Sequence, residues 1–186
     1  ELKAYKFITI GKSGFISDEF IPAFELGTEE LSATRIGKRV AELYIDPESA
    51  NSIIKNISAK IDIEYLLTIN SCAEMHPLPR VKENEAESIE EMLINMNLPA
   101  PDVWDIDYED FLRAFKMSLL LQDWTNEIGE DKLLDKYGMA PGELYNKITN
   151  AEWLLYSASE LAMLLNKRDV ATKLNKLRLR VKHGIR

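Results

Sequence analysis

A chain of 186 residues that is 46% hydrophobic and 29% charged can bury a substantial core, and its composition is that of an ordinary soluble globular protein rather than a disordered or fibrous one. It has no apolar run near the roughly 20 residues that span a bilayer, its opening ELKAYKFITIGKSG lacks the layout of a signal peptide, and its lone Cys72 excludes an internal disulfide. We therefore expect no membrane partner and a reducing cytoplasmic location, and the formal charge of −8 argues against a dedicated nucleic-acid binder, although its uneven distribution makes the total misleading.

The chain opens at Glu1, without a Met, in a stretch that reads as a strand over residues 4–10 (AYKFITI), so a piece of a longer protein is expected. The turn GKSG and an apolar patch at residues 14–26 follow. Gly11, Lys12 and Ser13 resemble the end of a phosphate loop, but that motif requires a glycine five positions before Gly11, where Lys6 stands.

Thr34 caps a short predicted helix, RIGKRVAELY, with Ile36, Val40 and Leu43 on one side. Asp46 and Pro47 start another, expected to run to about Lys60 with Asn56 to Ser58 inside it, and Asp62 opens a third, IEYLLTINSC. The prolines of MHPLPR force a loop before an acidic helix at residues 83–97, which LPAPD ends. Asp107 and Asp110 start the next, YEDFLRAFKMSLLLQDWTNEI, apolar on nearly all sides at Leu119 to Leu121, so it belongs at the centre, with Trp124 in the core. A short helix over residues 130–137 ends at Gly138, and a final one, DVATKLNKLRLRVKH, ends at Gly184 with Val170, Leu174, Leu177 and Val181 as its seam.

Residues 141–165, PGELYNKITNAEWLLYSASELAMLL, organise the rest: Pro141 and Glu143 are start signals for one long helix. At about 100° per residue, Leu144, Ile148, Ala151, Leu155, Ala158, Ala162 and Leu165 share an apolar sector. Trp153 falls about 180° from its centre, among Asn146, Asn150, Ser157 and Glu160. Two readings of that indole stay open: a ring sandwiched between layers of a helical domain, or a platform on which a base stacks beside amides that bond phosphates or base edges.

Charge is distributed unevenly. Residues 83–110 hold ten acidic residues and no basic one, whereas residues 166–186 hold eight Lys or Arg against one Asp, leaving +7 there and −15 elsewhere. A polyanion is steered to the C-terminal arm and repelled from the middle. Catalytic signatures are missing: Cys72 and His76 have no companions with metal-site spacing, and pairs such as Glu90/Glu91 or Asp105/Asp107 are the solvated faces of acidic helices. The fold expected is all-α from Thr34 onward, a helical bundle around one long central helix, with short β-strands only ahead of it.

Several segments resemble one family, in its order. TRIGKRVAELYIDPESA is similar to the junction after the winged helix of superkiller-like superfamily 2 helicases. KYGMAPGELYNKITNAEWLLYSASELA and LRLRVKHGIR resemble the Sec63-like ratchet domain of archaeal DNA repair helicases related to the helicase region of polymerase theta. The resemblance implies the tail of a winged helix over residues 1–33 and a ratchet bundle over residues 34–186, non-catalytic in itself and with no cofactor of its own. It further implies RecA-like motor domains of the same chain that use ATP and Mg2+ for 3′–5′ unwinding in repair or fork restart, and a monomer acting on single-stranded or forked DNA. In such proteins an aromatic on the long helix stacks on bases, and Trp153 occupies that position; Asn146 stands where relatives can present an arginine, with Lys147 beside it. The strand-binding set is then Trp153, Asn146, Lys147, Asn150 and Ser157, with Lys176, Arg180 and Lys182 on phosphates. The competing reading is a helical protein-interaction domain whose acidic helices bind a basic partner, with Trp153 as an anchor.

Overall fold

The structure is a computed structural model that describes residues 1–12 and 29–185; the apolar patch expected at residues 14–26 lies outside the described residues. It divides into two compact units, Glu1–Pro47 and Glu48–Arg186.

In the first unit, β1 (Ile8–Lys12) and β2 (Glu29–Ala33) pair antiparallel in the register Ile8 to Ala33 and Lys12 to Glu29, followed by α1 (Arg35–Leu43). The strand expected from residue 4 starts only at Ile8. Before it the backbone closes on itself, with Tyr5 N–H donating to the Glu1 carbonyl at 3.0 Å and Lys6 at φ 60°, which diverts the chain from extended geometry. Thr34 is the N-cap of α1: its Oγ1 accepts from Gly37 N–H at 3.0 Å and donates to the Lys6 carbonyl at 2.8 Å. Gly37 permits that closeness, since a Cβ there would sit 2.0 Å from the Phe7 carbonyl oxygen. This unit thus groups α1 with the strands.

The second unit is helical: α2 (Pro47–Lys55), which begins at the boundary, α3 (Asp62–Asn70), a 3-10 turn (Ala73–Met75), α4 (Glu83–Asn95), α5 (Tyr108–Thr125), α6 (Glu130–Tyr137), α7 (Pro141–Leu164) and α8 (Arg168–His183). Helix α2 stops five residues earlier than its pattern suggests. The Asn56 amide donates to the Ser52 carbonyl at 3.0 Å and satisfies the last turn, so Asn56 to Ser58 follow the helix instead of lying within it. Helix α3 is opened by Glu64, whose carboxylate accepts from the N–H groups of Lys60 and Ile61 at 2.5 and 3.1 Å. Gly138 and Gly184 close α6 and α8 at φ 64° and 60°, where a side chain is strained.

Helix α5 is enclosed nearly all round, with Ala114 to Leu121 buried without a break. It packs on α3, α4, α6 and α8, while α7 packs most extensively along α8. Trp124, expected in the core, is half-buried and structural: its Nε1 donates to the Val181 carbonyl at 2.7 Å and ties α5 to α8. The Lys116 ammonium lies in this core, ion-paired to Glu85 and donating to the Arg80 carbonyl at 2.8 Å. Burial alone would push the Glu85 carboxyl up, but the bond from Lys116 and the N–H of Lys82 hold it below the ordinary carboxylate value.

Candidate nucleic-acid interface

Helix α7 is one rod of 24 residues, about 36 Å long at 1.5 Å per residue. The predicted apolar sector is buried from Leu144 through Ala162, and the buried arc is wider than the sequence pattern, taking in Lys147, Leu154, Ser157, Ser159 and Leu161. The widening has a tertiary cause: α8, α3 and the 3-10 turn all pack against this helix, so no single stripe faces a single neighbour. The face left accessible carries Tyr145, Asn146, Thr149, Glu152, Trp153, Tyr156, Glu160 and Met163.

The residues expected to bind the strand divide on this geometry. Asn146 is exposed, and Trp153 lies half-buried at the margin of the open face. Lys147 is turned inward at 5% exposure, donating from Nζ to the carbonyls of Met75 at 2.5 Å and Pro77 at 2.6 Å. Asn150, half-buried, donates from Nδ2 to the Glu74 carbonyl at 2.9 Å. Ser157 is fully buried, with its Oγ enclosed. Lys147 and Ser157, expected on the strand-binding surface, thus lie in the interior and not on the open face. For Lys147 the physical reason is that the carbonyls of Met75 and Pro77 need a donor, as Asn150 serves that of Glu74; Ser157 is covered by the elements packed around α7. Burial pulls the Lys147 ammonium below its ordinary value.

Electrostatics come from α8. Lys176 is exposed; Lys182 is exposed and donates to Glu152 Oε1 at 3.0 Å; Arg180 is ion-paired to Asp62. Arg178 approaches the same Glu152 oxygen at 3.7 Å and places its guanidinium 5.6 Å from the Tyr156 ring centroid. Glu152 thus gathers two α8 cations one position before Trp153.

Sequence reasoning missed two aromatics. Tyr156 is 37% and Tyr145 50% exposed, and an interval of 11 residues, three helical turns, puts both on the face that Trp153 borders. That interval was visible in the sequence, but Tyr is amphipathic enough to end either way, so only the packing showed them outward. The Tyr145 hydroxyl donates to Glu130 Oε2 at 2.8 Å, and that bond raises its pKa.

A metal centre has no support here: among the described residues no group of three or more His, Cys, Asp or Glu side chains is placed to hold an ion. Cys72 is buried and His76 exposed, four residues apart but separated in environment. No helix is long and apolar enough to cross a membrane, among the described residues.

Comparison with known proteins converges on one family. The description "archaeal helicase, domain 4" matches residues 63–184. The chain is similar to the ATP-dependent DNA helicase Hel308 of Pyrococcus horikoshii, 38% identical over 173 residues that cover 85% of this chain and 23% of the relative. The same-named helicase of Methanocaldococcus jannaschii is 34% identical over 154 residues, 81% of this chain and 12% of its own length. That of Thermoplasma acidophilum is 33% identical over 176 residues, 94% of this chain and 23% of its own. The chain thus spans under a quarter of the length of these curated relatives.

Proposed function

The chain belongs to the archaeal helicase domain 4 family, and from that premise we propose that it is the ratchet domain of an ATP-dependent 3′–5′ DNA helicase acting in repair or restart of replication forks. Its partner is single-stranded or forked DNA, held while RecA-like motor domains of the same polypeptide, which bind ATP and Mg2+, reset. In this reading nucleotide chemistry belongs to those motor domains. The intact protein acts as a monomer in the cytoplasm, and residues 1–33 are the tail of its winged helix.

The observation that carries this reading is the open face of α7, where Tyr145 and Tyr156 are exposed and Trp153 half-buried beside Arg178 and Lys182 of α8. Stacking on an aromatic is worth about 1 to 3 kcal/mol per base and reads no sequence, because every base has a π face. That strength biases the strand's position yet lets it go at each step. Lys176 and Lys182 attract phosphates, Asn146 offers an amide to a base edge, and Arg180 contributes once its pair with Asp62 opens. Lys147 and Asn150 serve the same surface indirectly, fixing α7 to the 3-10 turn so that the aromatic row does not roll.

The test is unwinding of a forked duplex by the intact protein carrying Trp153→Ala. Unwinding should drop while the melting temperature stays within a few degrees of the parent. A large fall in melting temperature with normal unwinding by the folded fraction would mean that the indole is core.

A further inference from the structure

The most exposed large apolar side chains of the helical unit lie far along the chain from α7, in the loop between α4 and α5. Trp104 is 92%, Ile106 96% and Val103 58% exposed, and Ile94 at the end of α4 is 75% exposed. A free indole in water is unusual, because a Trp brings 150 to 250 Å² of surface that other Trp residues bury. Clustered exposed apolar residues mark interaction sites.

This loop is held in shape by its own aspartates. Trp104 N–H donates to Asp102 Oδ1 at 3.0 Å, Asp102 N–H donates to Asp105 Oδ2 at 3.1 Å, and the Asp105 and Tyr108 N–H groups donate to the carbonyls of Asp102 and Asp105 at 2.9 and 3.1 Å. One reciprocal turn, Asp102 to Asp105, and a second turn, Asp105 to Tyr108, therefore present Val103, Trp104 and Ile106 outward on a fixed frame, and little ordering remains to be done on binding.

Charge selects the occupant. The loop sits within residues 83–110, ten acids without a base, which repels a polyanion and complements a surface rich in Lys and Arg. A Trp in an apolar pocket with a charged rim is the usual anatomy of an interface anchor. The relatives have more than three quarters of their length outside the matched region, so the nearest candidate surface is another domain of the same polypeptide.

We infer that the Trp104 loop is a docking knob by which the helical unit seats on another domain of the same polypeptide, in an apolar pocket rimmed by Lys and Arg. This rests on the reading of the chain as one domain of a longer helicase. It assigns the −10 segment to holding the machine together and the α7–α8 face to DNA.

The experiment is hydroxyl-radical footprinting of the intact protein, read residue by residue by mass spectrometry, together with carbodiimide cross-linking. Trp104 and Ile106 should be oxidised about tenfold more slowly than freely exposed side chains of their types, and acids of residues 83–110 should cross-link to lysines outside residues 1–186. Trp104→Glu should raise oxidation of Val103 and Ile106 and remove those cross-links. Oxidation of Trp104 at the free rate in the intact protein overturns the inference, and so does protection that is lost on dilution or that appears only with a second protein. The DNA reading is scored separately on the same samples: if oligo-dT fails to protect Trp153 and Tyr156 while Trp104 stays covered, the ratchet proposal fails and the docking knob stands.

Discussion

Glu152 Oε1 accepts from the Lys182 ammonium at 3.0 Å, across the α7–α8 contact and one residue before Trp153. A carboxylate in that place does for the cation what a DNA phosphate would do. On the proposed ratchet reading a bound strand has to compete with it, and that competition would limit how tightly the domain grips.

Glu152→Gln should consequently strengthen binding of oligo-dT by a few-fold. It should also steepen the dependence of log affinity on log salt by about 0.7 for each cation freed, the single-strand value. Partly exposed pairs of this kind contribute roughly 0 to 1 kcal/mol, so the fold should barely change. Titrations at two salt concentrations decide it, and weaker binding by the variant would make Glu152 a scaffold for the cations instead of their competitor.

Trp153→Ala should weaken oligo-dT binding by about 1 to 3 kcal/mol, the value of one stacked base. In a Trp104→Phe/Trp124→Phe background the remaining indole fluorescence should be quenched by the oligonucleotide, and the quench should vanish with Trp153. A quench that persists without it would place the stacking elsewhere.

Lys147→Met keeps the apolar stem and deletes the ammonium that bonds the Met75 and Pro77 carbonyls. Hydrogen bonds from a charged donor are worth about 1.5 to 3 kcal/mol, and two carbonyls lose their partner, so urea unfolding should show a loss on the order of 2 kcal/mol. Adding salt should not restore it. A variant as stable as the parent, with weakened DNA binding, would return Lys147 to the interface.

Glu85 should contribute to the loss of stability in acid. Its folded pKa lies below the usual 4.5, so its contribution is present above the unfolded value and is lost as pH falls through the lowered one. Glu85→Gln should flatten the loss of stability below about pH 4.5. At neutral pH it leaves Lys116, 2% exposed, without its counter-ion, at a cost of about 3 to 5 kcal/mol. Urea midpoints from pH 7 down to 3 test both parts, and an unchanged acid limb would assign it to other carboxylates.

Much of the bundle was legible in the chain because helix punctuation is local. Thr34 as a cap, Pro141 at a first turn, and Gly138 and Gly184 as left-handed stops act within a few residues of themselves, and each stands where its chemistry predicts. Continuous apolarity likewise marked α5 as central. Local bonds that periodicity does not encode moved several boundaries, among them the start of β1, delayed by the Lys6 turn, and the end of α2, where the Asn56 amide satisfies the last turn.

The sequence by itself determined which segments are helical, that Trp153 lies opposite the main apolar stripe of α7, and that positive charge collects at the C-terminal end. Tertiary structure alone decided which polar side chains on α7 meet solvent. Asn150 and Ser157 share a polar sector in projection and Lys147 stands at the edge of the apolar one, yet the 3-10 turn and neighbouring helices cover that whole flank and leave Tyr145 and Tyr156 on the open one. Helical phase fixes an angle about an axis, whereas accessibility depends on how many neighbours surround that axis and where their unpaired carbonyls fall.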